Sequence, residues 1–466
     1  MLASVFMRKI AIFGASSGGK LLYDAIKIHR DKWFLWAFYD NKESLAGKIV
    51  SGVKVRGDLS VALEDISRGA FDELIIAISE IDPQELKELS VACNQSGCAL
   101  RVIPQSIEIA LTDSVIGQLR KPSINDLLRR IPIKFDVESL ASQVADKAIL
   151  VTGAAGSIGS EIVRQILRLE PKKIIALDWD ENELYLLELY CKRHSTKTEF
   201  ESVLGSIQDE KAMNSTVAKF RPEIVFHCAA HKHVPMMEKY PEEAIRNNII
   251  GTINVLNAAK EYGAKQFTLI STDKAVRPTN VMGATKRIAE RIVLSCSSAD
   301  MRCSAVRFGN VLGSAGSVVP IFQQLLDEGR DLTVTDERMT RYFMTIPEAS
   351  CLVIETSFMS EGGELFILDM GEPVRIVDLA ETLIELTGSK AKIRFTGARP
   401  GEKLYEELFY DMSSVERTAN PKVMLSKHSS SPLSVEQILS EIGKIDELDS
   451  LYRFLGTYAD GFKPNI

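Results

Sequence analysis

The sequence predicts an α/β protein with two parallel sheets and a small C-terminal lobe. Two observations carry this prediction: short apolar strands alternate with helices along two separate blocks, and in each block the first strand is followed by a glycine-rich turn. Such alternation is typical of a parallel sheet that is covered by helices on both faces. The length of 466 residues is sufficient for about three domains.

The first block covers residues 1–105, with strands expected at 9–13, 34–39, 73–78 and 99–103 and with helices between them. This length suits a small Rossmann-like accessory domain. Its glycine turn, Gly14-Ala-Ser-Ser-Gly18-Gly19, is followed by Asp40 at the end of the second strand. The glycine spacing differs from the dinucleotide-binding pattern, so a bound ligand and a purely structural domain are equally open.

Residues 106–140 are expected to form a linker, because this stretch contains two prolines and a basic cluster, with one short helix around 124–130. The basic residues favour a solvated face over a binding patch. The second block, residues 141–430, has strands expected at 148–152, 172–178, 200–204, 224–228, 266–270 and 304–308. It predicts a doubly wound Rossmann domain. The alternation loosens after residue 310, which favours a small substrate lobe, and residues 431–466 are expected to form a helical tail.

The composition argues against several classes of protein. The 56 basic and 63 acidic residues give a net charge of −7, so nothing favours a nucleic-acid partner. The seven cysteines include no C-x-x-C pair, which argues against a zinc site and favours a reducing cytoplasm. The sequence contains no apolar run of the roughly 18 residues that a transmembrane helix needs. We therefore expect a cytoplasmic protein with no membrane span and no metal.

The glycine turn of the second block is the first motif with a chemical meaning. Its glycines follow a strand and open a helix, and Asp178 ends the next strand. Glycine allows the backbone to approach a pyrophosphate, and the helix N-terminus attracts the anion. A carboxylate at Asp178 accepts hydrogen bonds from ribose hydroxyls and repels a 2′-phosphate, so the turn favours NAD over NADP. The predicted cofactor residues of the turn are Gly153, Gly156, Ser157, Ile158 and Gly159.

A polar stretch, residues 271–286, follows the apolar strand at 266–270. It therefore lies at the carboxyl edge of the sheet, where α/β proteins place their sites. Asp273 and Lys274 are adjacent and opposite in charge, so a closed pocket can tune one as an acid and the other as a base. An exposed ion pair on a loop explains the same spacing equally well.

Seven motifs then occur in order: TGAAGSIGSE, FHCAAHKHVPMME, ISTDKAVRPTNVMGATK, VRFGNVLGS, TVTDERMTRYFMTIPEA, LDMGEPVRIVDLA and ARPGEKLYEE. Over residues 136–425 the chain resembles the nucleotide-sugar 4,6-dehydratases of bacterial polysaccharide and glycoprotein-glycan synthesis, a branch of the extended short-chain dehydrogenases/reductases. The first block is similar to the Rossmann-like domain that precedes the catalytic domain in the large membrane-bound members. Those members carry a transmembrane helical bundle before this domain, and this chain departs from them in that respect, so we expect a form without the bundle. The resemblance also implies a homo-oligomer.

This resemblance implies a reaction and assigns roles to residues. Family members oxidise carbon 4 of the sugar with bound NAD, remove the carbon 5 proton, eliminate the carbon 6 hydroxyl as water and return the hydride to carbon 6. Asp273 is then the acid and Lys274 the base. Thr272 binds the carbon 4 hydroxyl, and Lys286 holds the nicotinamide ribose.

Met282 stands where most short-chain dehydrogenases have the tyrosine of Tyr-x-x-x-Lys, four residues before Lys286. A thioether is a poor proton acceptor. The large membrane-bound subgroup resembles this chain in having methionine there, so the substitution indicates a subgroup trait. Our hypothesis is that Asp273, or a water held by Lys286, takes the proton of the carbon 4 hydroxyl.

The resemblance implies further contacts. Those to the cofactor are Ile207, Ala229, Ala230, Lys232 and Asn248. Those to the sugar nucleotide are His233, Asn310, Arg341, Arg399 and Glu402, of which the arginines suit phosphate groups. Three histidines, His227, His231 and His233, alternate along this region, but a metal role for them is not expected.

The chain departs from the family at three places. Gly205-Ser206-Ile207-Gln208-Asp209 replaces a G-D-[IV]-x-D stretch whose first Asp contacts adenine. Ala315 and Arg277 also differ from the residues expected beside the substrate cleft.

The favoured function is the 4,6-dehydration of UDP-N-acetylglucosamine with retention at carbon 5. The alternatives are a nucleotide-sugar 4-epimerase and a catalytically silent scaffold that binds NAD or a nucleotide sugar.

Overall fold

The computed structural model describes residues 7–28, 33–78, 81–103, 119–122, 126, 137–195, 197–399, 401–427 and 431–464. The chain forms two compact units. The first unit comprises residues 1–132, 321–333 and 377–394, and the second comprises residues 133–320, 334–376 and 395–466. Most of the expected linker, including most of the short helix around 124–130, lies outside the described residues.

The first unit is built on a six-stranded sheet with the order β3-β4-β2-β1-β5-β6. Its strands are β1 (Arg8–Phe13), β2 (Trp33–Tyr39), β3 (Ile49–Val50), β4 (Val53–Gly57), β5 (Glu73–Ile76) and β6 (Ala99–Val102). All neighbours pair in parallel except β3 and β4, which form a hairpin. This hairpin was not predicted from the sequence. It depends on a tight turn in which Ser51 and Gly52 both have positive φ, at 49° and 85°.

Three helices connect the strands of this sheet: α1 (Ser17–Ile28), α2 (Leu59–Ser67) and α3 (Pro83–Ser96), with a 3-10 turn at Glu43–Leu45. Helix α3 shows why these boundaries form. The Asp82 carboxylate caps it by accepting from Gln84 N, Pro83 occupies the first turn, and Gly97 ends it with a φ of 75°. Proline at the start and glycine at the end are common helix boundaries.

The remaining strands are β7 (Ala148–Thr152), β8 (Lys173–Asp178), β9 (Glu199–Leu204), β10 (Ile224–His227), β11 (Gln266–Ile270), β12 (Arg302–Arg307), β13 (Asn310–Leu312), β14 (Leu332–Val334), β15 (Thr340–Arg341), β16 (Phe343–Thr345), β17 (Leu365–Leu368), β18 (Val374–Arg375), β19 (Ile393–Phe395), β20 (Val415–Arg417) and β21 (Val423–Ser426). Nine of them form the sheet of the second unit, in the order β20-β21-β17-β12-β11-β10-β7-β8-β9. The strands from β17 to β9 in this order pair in parallel. Strand β21 pairs antiparallel with both β17 and β20.

The remaining helices are α4 (Val137–Val144), α5 (Ser157–Leu167), α6 (Glu181–His194), α7 (Glu210–Phe220), α8 (Val234–Lys239), α9 (Pro241–Ile245), α10 (Thr252–Glu261), α11 (Val281–Ser295), α12 (Val318–Asp327), α13 (Ile346–Met359), α14 (Ile376–Thr387), α15 (Val435–Ile442) and α16 (Leu448–Tyr458). A π-helical turn, Arg246–Gly251, precedes α10, and 3-10 turns lie at Asp273–Ala275 and Met412–Ser414. Among the described residues, we find no helix with the length and apolarity that a bilayer span requires.

The central strands of the large sheet are buried on both faces. Along β7, Leu150 packs in one core layer, with residues of α10 and α11, while Ile149 and Val151 pack in the other, with residues of α5 and α13. Successive side chains of a strand point to opposite faces, so a strand covered on both sides is apolar throughout. The predicted fold class, two Rossmann-like sheets, is confirmed.

The residues after 310 differ from the expected organisation. They were expected to form mainly one lobe, whereas residues 321–333 and 377–394 group with the first unit. Within that unit, Lys87 Nζ lies 2.6 Å from Glu385 Oε2, and Asn94 Nδ2 donates to Leu386 O at 2.9 Å. These contacts join α14 to α3, which no sequence pattern indicates. In the expected helical tail, α15 and α16 bury Ile438 and Phe454 in the core of the second unit.

Candidate active site

The glycine turn of the second unit connects β7 to α5 at the carboxyl edge of the sheet. Gly153 has a φ of 65°, and a Cβ there would lie 2.6 Å from Ala229 N, so glycine is required. At Gly159, a Cβ would lie 2.0 Å from Gly153 O. Gly156 is the N-cap of α5 and offers no side-chain cap. The first N–H groups of α5 are therefore available to an anion.

Asp178 ends β8 beside this turn and is buried. Its Oδ2 accepts from Ala155 N at 2.8 Å, and its Oδ1 accepts from Asp180 N at 3.0 Å. These bonds fix the orientation of the carboxylate. A carboxylate has about four lone-pair sites, so it retains capacity for ribose hydroxyls.

A cleft of about 710 Å³ opens at this edge of the sheet. Its lining includes the predicted cofactor residues Gly153, Gly156, Ser157, Asp178, Ile207, Ala229 and Ala230. The other predicted cofactor residues, Ile158, Gly159, Lys232, Asn248 and Lys286, lie outside this lining. Ile158 packs against the core, and the absence of a Cβ at Gly159 allows α5 to pack closely against the backbone of the turn.

Asn248 is fully buried in the π-helical turn, and its amide is occupied by the protein. Its Oδ1 accepts from His231 N at 2.8 Å, and its Nδ2 donates to His231 O at 3.0 Å and to Thr285 Oγ1 at 3.1 Å. The amide of Asn248 is therefore used within the protein in this structure, and its predicted contact with the cofactor stays a prediction. Asn248 ties the loop that lines the cleft to helix α11.

The three histidines of this region have separate surroundings. Burial lowers the pKa of His227 to about 3, so its ring is neutral. Its Nδ1 lies 2.7 Å from Thr152 Oγ1, and its Nε2 lies 3.0 Å from Thr252 Oγ1. His231 faces Glu243 at 3.3 Å. Across the described ranges, no group of three or more His, Cys, Asp or Glu side chains is arranged to hold a metal ion.

One corner of the cleft is formed by the loop after β13. Ala315 N donates to Ser157 Oγ at 3.1 Å, and Lys232 Nζ donates to Ala315 O at 2.8 Å. The ring of His233 lies so close to Gly316 that a Cβ there would come 2.6 Å from His233 Cε1. Lys232 and His233 therefore hold the loop at the mouth of the cleft.

The loop after β11 carries Thr272, Asp273 and Lys274. Asp273 is fully buried, and its Oδ1 accepts from Thr272 Oγ1 at 2.8 Å and from Lys274 Nζ at 3.1 Å. Its Oδ2 is also buried and has no hydrogen-bond partner among the described residues. The alternative of an exposed ion pair is wrong, since the side chain of Lys274 is only 19% exposed.

The charges around Asp273 shift its protonation. Burial raises the pKa of Asp273, the facing ammonium of Lys274 opposes this shift, and the carboxylate of Glu406 adds to it. Burial disfavours the charged form of Lys274, but Asp273 and Glu406 outweigh this effect and raise the pKa of Lys274. A carboxyl with a raised pKa suits a general acid.

Helix α11 carries Met282 and Lys286 past this loop, and both side chains are buried. Burial lowers the pKa of Lys286 to about 8, and no described residue accepts a hydrogen bond from its Nζ. The approach of the helix depends on Gly283, where a Cβ would lie 2.2 Å from Lys274 O.

Replacing Gly283 by alanine is expected to displace α11 from the loop after β11, because the added methyl group meets a backbone oxygen. Overpacking of this kind costs about 1–3 kcal/mol, so we expect a lower midpoint in thermal unfolding and reduced turnover. Gly456→Ala is the matched control: this glycine also lies in a helix, with no atom within 4 Å of a Cβ. Unchanged stability and turnover in Gly283→Ala would contradict the required close approach.

The predicted substrate residues range from buried to exposed. Asn310 Oδ1 accepts from Lys274 Nζ at 3.4 Å, and its Nδ2 donates to Tyr342 O at 3.2 Å. Arg341 is buried, and its Nη2 lies 3.5 Å from Glu402 Oε1. Arg399 is exposed, and only its backbone contacts Glu402.

Two buried carboxylates of this site were not predicted from the sequence. Glu406 Oε1 lies 3.3 Å from Lys274 Nζ and 3.5 Å from Arg341 Nε. Glu290, on α11, accepts two hydrogen bonds at 2.6 Å from Arg307 and one at 2.6 Å from Ser271 Oγ. Glu406 lies in the ARPGEKLYEE motif. The high charge of this motif was the sequence signal that could have marked Glu406 as a site residue.

The side of the cleft that is lined by residues 205–208 differs from the family pattern. Ser206 and Gln208 line it, with Glu243 and Asn247. Gln208 Nε2 donates to Glu243 Oε1 at 2.5 Å. Polar contacts on this side are therefore available from a glutamine–glutamate pair rather than from the aspartate of the G-D-[IV]-x-D pattern.

Together these residues fit NAD. The turn and the start of α5 suit a pyrophosphate, the fixed carboxylate of Asp178 suits an unphosphorylated ribose, and the Lys286 ammonium is buried without a protein acceptor among the described residues.

Comparisons with known proteins agree with this geometry. Residues 149–428 match the family described as polysaccharide biosynthesis protein. The capsular polysaccharide biosynthesis protein CapD of Staphylococcus aureus is 44% identical over 405 residues, covering 85% of this chain and 68% of CapD. A UDP-glucose 4-epimerase of Rickettsia akari is 34% identical over 272 residues, which are 56% of this chain and 77% of the epimerase. The X-ray structure of Pen from Bacillus thuringiensis is 33% identical, with a TM-score of 0.57, and the match covers 64% of this chain and 97% of Pen. The chain belongs to the polysaccharide biosynthesis protein family, which confirms its predicted place among the nucleotide-sugar-modifying enzymes of the extended short-chain dehydrogenases/reductases.

Proposed function

We propose that this protein is a 4,6-dehydratase of a UDP-N-acetylhexosamine, with UDP-N-acetylglucosamine as the substrate and with the configuration at carbon 5 retained. The observation that carries the proposal is the pair of Asp273, which is fully buried, and Lys274, which is largely shielded from solvent; their oxygen and nitrogen atoms are 3.1 Å apart at the carboxyl end of β11. A dehydration needs one acid and one base on the same sugar, and this pair supplies both types of group.

The cofactor proposed for this reaction is NAD, which supplies reversible hydride chemistry at carbon 4 and carbon 6. Gly153, Gly156 and Ser157 would hold its pyrophosphate at the start of α5. Asp178 would bind the adenine ribose, and Lys286 the nicotinamide ribose.

Each member of the catalytic loop has a separate task. Thr272, whose hydroxyl already donates to Asp273 at 2.8 Å, would bind the carbon 4 hydroxyl. Asp273 would give a proton to the leaving hydroxyl of carbon 6, in agreement with its raised pKa. Lys274 would remove the proton from carbon 5.

Met282 cannot act as the acceptor in the first proton transfer. It is buried next to the loop and has no acidic hydrogen or basic nitrogen, so another group must accept the proton of the carbon 4 hydroxyl. We assign this step to Asp273, or to a water held by Lys286.

The substrate contacts are proposed on the same basis. Arg341 and Arg399 would bind the diphosphate, since a guanidinium presents a planar fork of donors to phosphate oxygens. Glu402 would bind the uridine ribose, and Asn310 and His233 would face the sugar diphosphate. We also propose a homo-oligomer.

A nucleotide-sugar 4-epimerase is the second candidate, because the Rickettsia akari relative carries that name. An epimerase needs a proton acceptor only at carbon 4 and has no use for an acid that expels the carbon 6 hydroxyl. The buried Asp273–Lys274 pair and the methionine at position 282 therefore favour the dehydratase. A catalytically silent scaffold is the third candidate. A protein that only binds NAD or a nucleotide sugar does not need an adjacent acid and base, so the Asp273–Lys274 pair disfavours this candidate.

One experiment separates the three functions. The purified protein is incubated with UDP-N-acetylglucosamine, and the sugar is followed by NMR. A 4-keto-6-deoxy product with retained configuration at carbon 5 is the expected result. A galacto product would identify an epimerase, and an unchanged sugar would identify a scaffold. The same measurement with the corresponding dTDP sugar tests the choice of base.

A further inference from the structure

The Asp273–Lys274 pair is part of a larger buried cluster whose fourth member lies far along the chain. Lys274 Nζ is 3.1 Å from Asp273 Oδ1, 3.3 Å from Glu406 Oε1 and 3.4 Å from Asn310 Oδ1. Glu406 reaches this position from the loop after β19, and its side chain is only 3% exposed. The Lys274 ammonium is therefore enclosed by three oxygen acceptors from three separate segments.

Lys274 and Glu406 each lie among side chains of opposite charge, and these charges shift the pKa values of the carboxyls. Lys274 faces Asp273, Glu406 and Arg341, while Glu406 faces Lys274, Arg341 and Lys403. Burial disfavours the charged form of Glu406, but its three cations outweigh this effect and lower the pKa of Glu406. Asp273 shifts in the opposite direction, because burial raises its pKa. The pKa values of the two carboxyls beside Lys274 therefore shift in opposite directions, and the surrounding charges favour the ionised form of Glu406.

A buried carboxylate is costly unless it is paired, so its presence needs a reason. Its Oε1 is used by Lys274 and Arg341, whereas its Oε2 is buried with no hydrogen-bond partner in the described part of the chain. A purely structural carboxylate is usually satisfied on both oxygens. The arrangement instead places an anion against the amine that the proposed reaction uses as its base.

We propose that Glu406 is a positioning residue for Lys274: it holds the Nζ beside Asp273 and Asn310 and sets the pH range in which Lys274 works. This inference rests on the proposed dehydratase function and adds to it a residue that acts through Lys274. An anion at 3.3 Å stabilises the ammonium over the free amine, so Lys274 loses its proton at higher pH than it would without Glu406.

The test compares four forms of the enzyme: wild type, Glu406→Gln, Glu406→Asp and Glu407→Gln. The turnover number kcat for UDP-N-acetylglucosamine is measured across pH, with the product identified by NMR. Because a base must be deprotonated, kcat rises with pH through the pKa of Lys274. Removing the anion lowers this pKa, so in Glu406→Gln the rising limb is expected at lower pH by about one unit or more.

The two substitutions at position 406 separate charge from position. Glu406→Gln also loses the fixed location of Nζ, and we expect its plateau kcat to fall roughly 10–100-fold. Glu406→Asp keeps the charge on a shorter side chain, so its rising limb should stay near that of wild type while its plateau falls. A merely structural role for Glu406 would lower kcat without moving the limb.

Glu407→Gln is the matched control. The Glu407 carboxylate pairs with Arg277 and with Lys403, the latter at 3.2 Å, rather than with Lys274. Its pH profile is expected to superimpose on that of wild type. Circular dichroism and the amount of bound NAD check that each variant is folded.

Three results would overturn the inference. The first is a folded Glu406→Gln variant whose kcat rises over the same pH range as that of wild type. The second is a Glu407→Gln variant whose pH profile is displaced as much as that of Glu406→Gln. The third is a Glu406→Asp variant whose plateau kcat equals that of wild type, and this result decides the question if Glu406→Gln does not fold. A wild-type protein that makes no 4-keto product overturns the proposed function and this inference with it, whereas product formation with an unmoved limb overturns the inference alone.

Discussion

Replacing Asp273 by asparagine is expected to abolish turnover while NAD stays bound. Asparagine has nearly the same shape, but its amide cannot supply or accept the proton that the proposed reaction moves. A positioned acid or base contributes about 10²–10⁴-fold to a rate, and we expect a loss of kcat of that size. The side chain is fully buried and its free Oδ2 has no partner among the described residues, so little else depends on its charge except the contact with Lys274.

Product formation is followed by NMR, and bound NAD is measured after denaturation of the purified variant. Asp300→Asn is the control, since Asp300 is exposed. Incubation in D2O adds a second measurement. If Asp273 takes the carbon 4 hydroxyl proton, the variant stops before the ketone and no deuterium enters carbon 5. Deuterium at carbon 5 without product would assign that first proton to another group, and near-normal activity would refute both roles.

Replacing Glu290 by glutamine is expected to cost about 3–5 kcal/mol of unfolding free energy, the usual effect of removing one partner of a buried ion pair. Glu290 is fully buried and faces Arg307 with two hydrogen bonds and Arg287 at 3.1 Å. In the variant the buried guanidinium of Arg307 would face a neutral amide. The effect should reach the site, because Glu290 also accepts from Ser271, the residue before Thr272.

Urea-induced unfolding of the second unit measures this loss, with Glu361→Gln as an exposed control. The pH dependence supplies a further check. Burial disfavours the charged form of Glu290, but Arg307 and Arg287 outweigh it and lower the pKa. A group with a lowered pKa stabilises the fold at neutral pH and loses that contribution as the pH falls through its folded-state pKa. The difference between wild type and Glu290→Gln should therefore be largest near neutral pH and shrink in acid. A difference that does not change with pH would contradict this account.

The strands of the parallel core were predictable because burial on both faces leaves a continuous apolar run. Strands β7, β8, β10 and β11 appear within a residue or two of their expected bounds. Strands β20 and β21 were missed, since both lie at one edge of the large sheet and have partly exposed side chains. The hairpin of β3 and β4 was missed because β3 has only two residues.

The part of the site that lies on the loop after β11 could be predicted from the sequence. Thr272, Asp273 and Lys274 come directly after β11, so topology alone places them at the carboxyl edge. Asn248 was assigned to the cofactor although its amide is occupied by His231 and Thr285. A list of family positions does not show which atoms of a side chain are already used.

The sequence by itself determined the fold class, the glycine turn with Asp178, and the identity of the adjacent acid and base. The glycine turn and the acid–base pair consist of residues that are close in the chain, and the fold class follows from the alternation of apolar strands and helices. All three can therefore be recognised from local sequence. Only the tertiary structure decided that the pair is shielded from solvent and that Glu406 joins it, since 131 residues lie between Lys274 and Glu406. The electrostatic effect of a charge depends on distance and burial in space, and neither can be read from spacing along the chain.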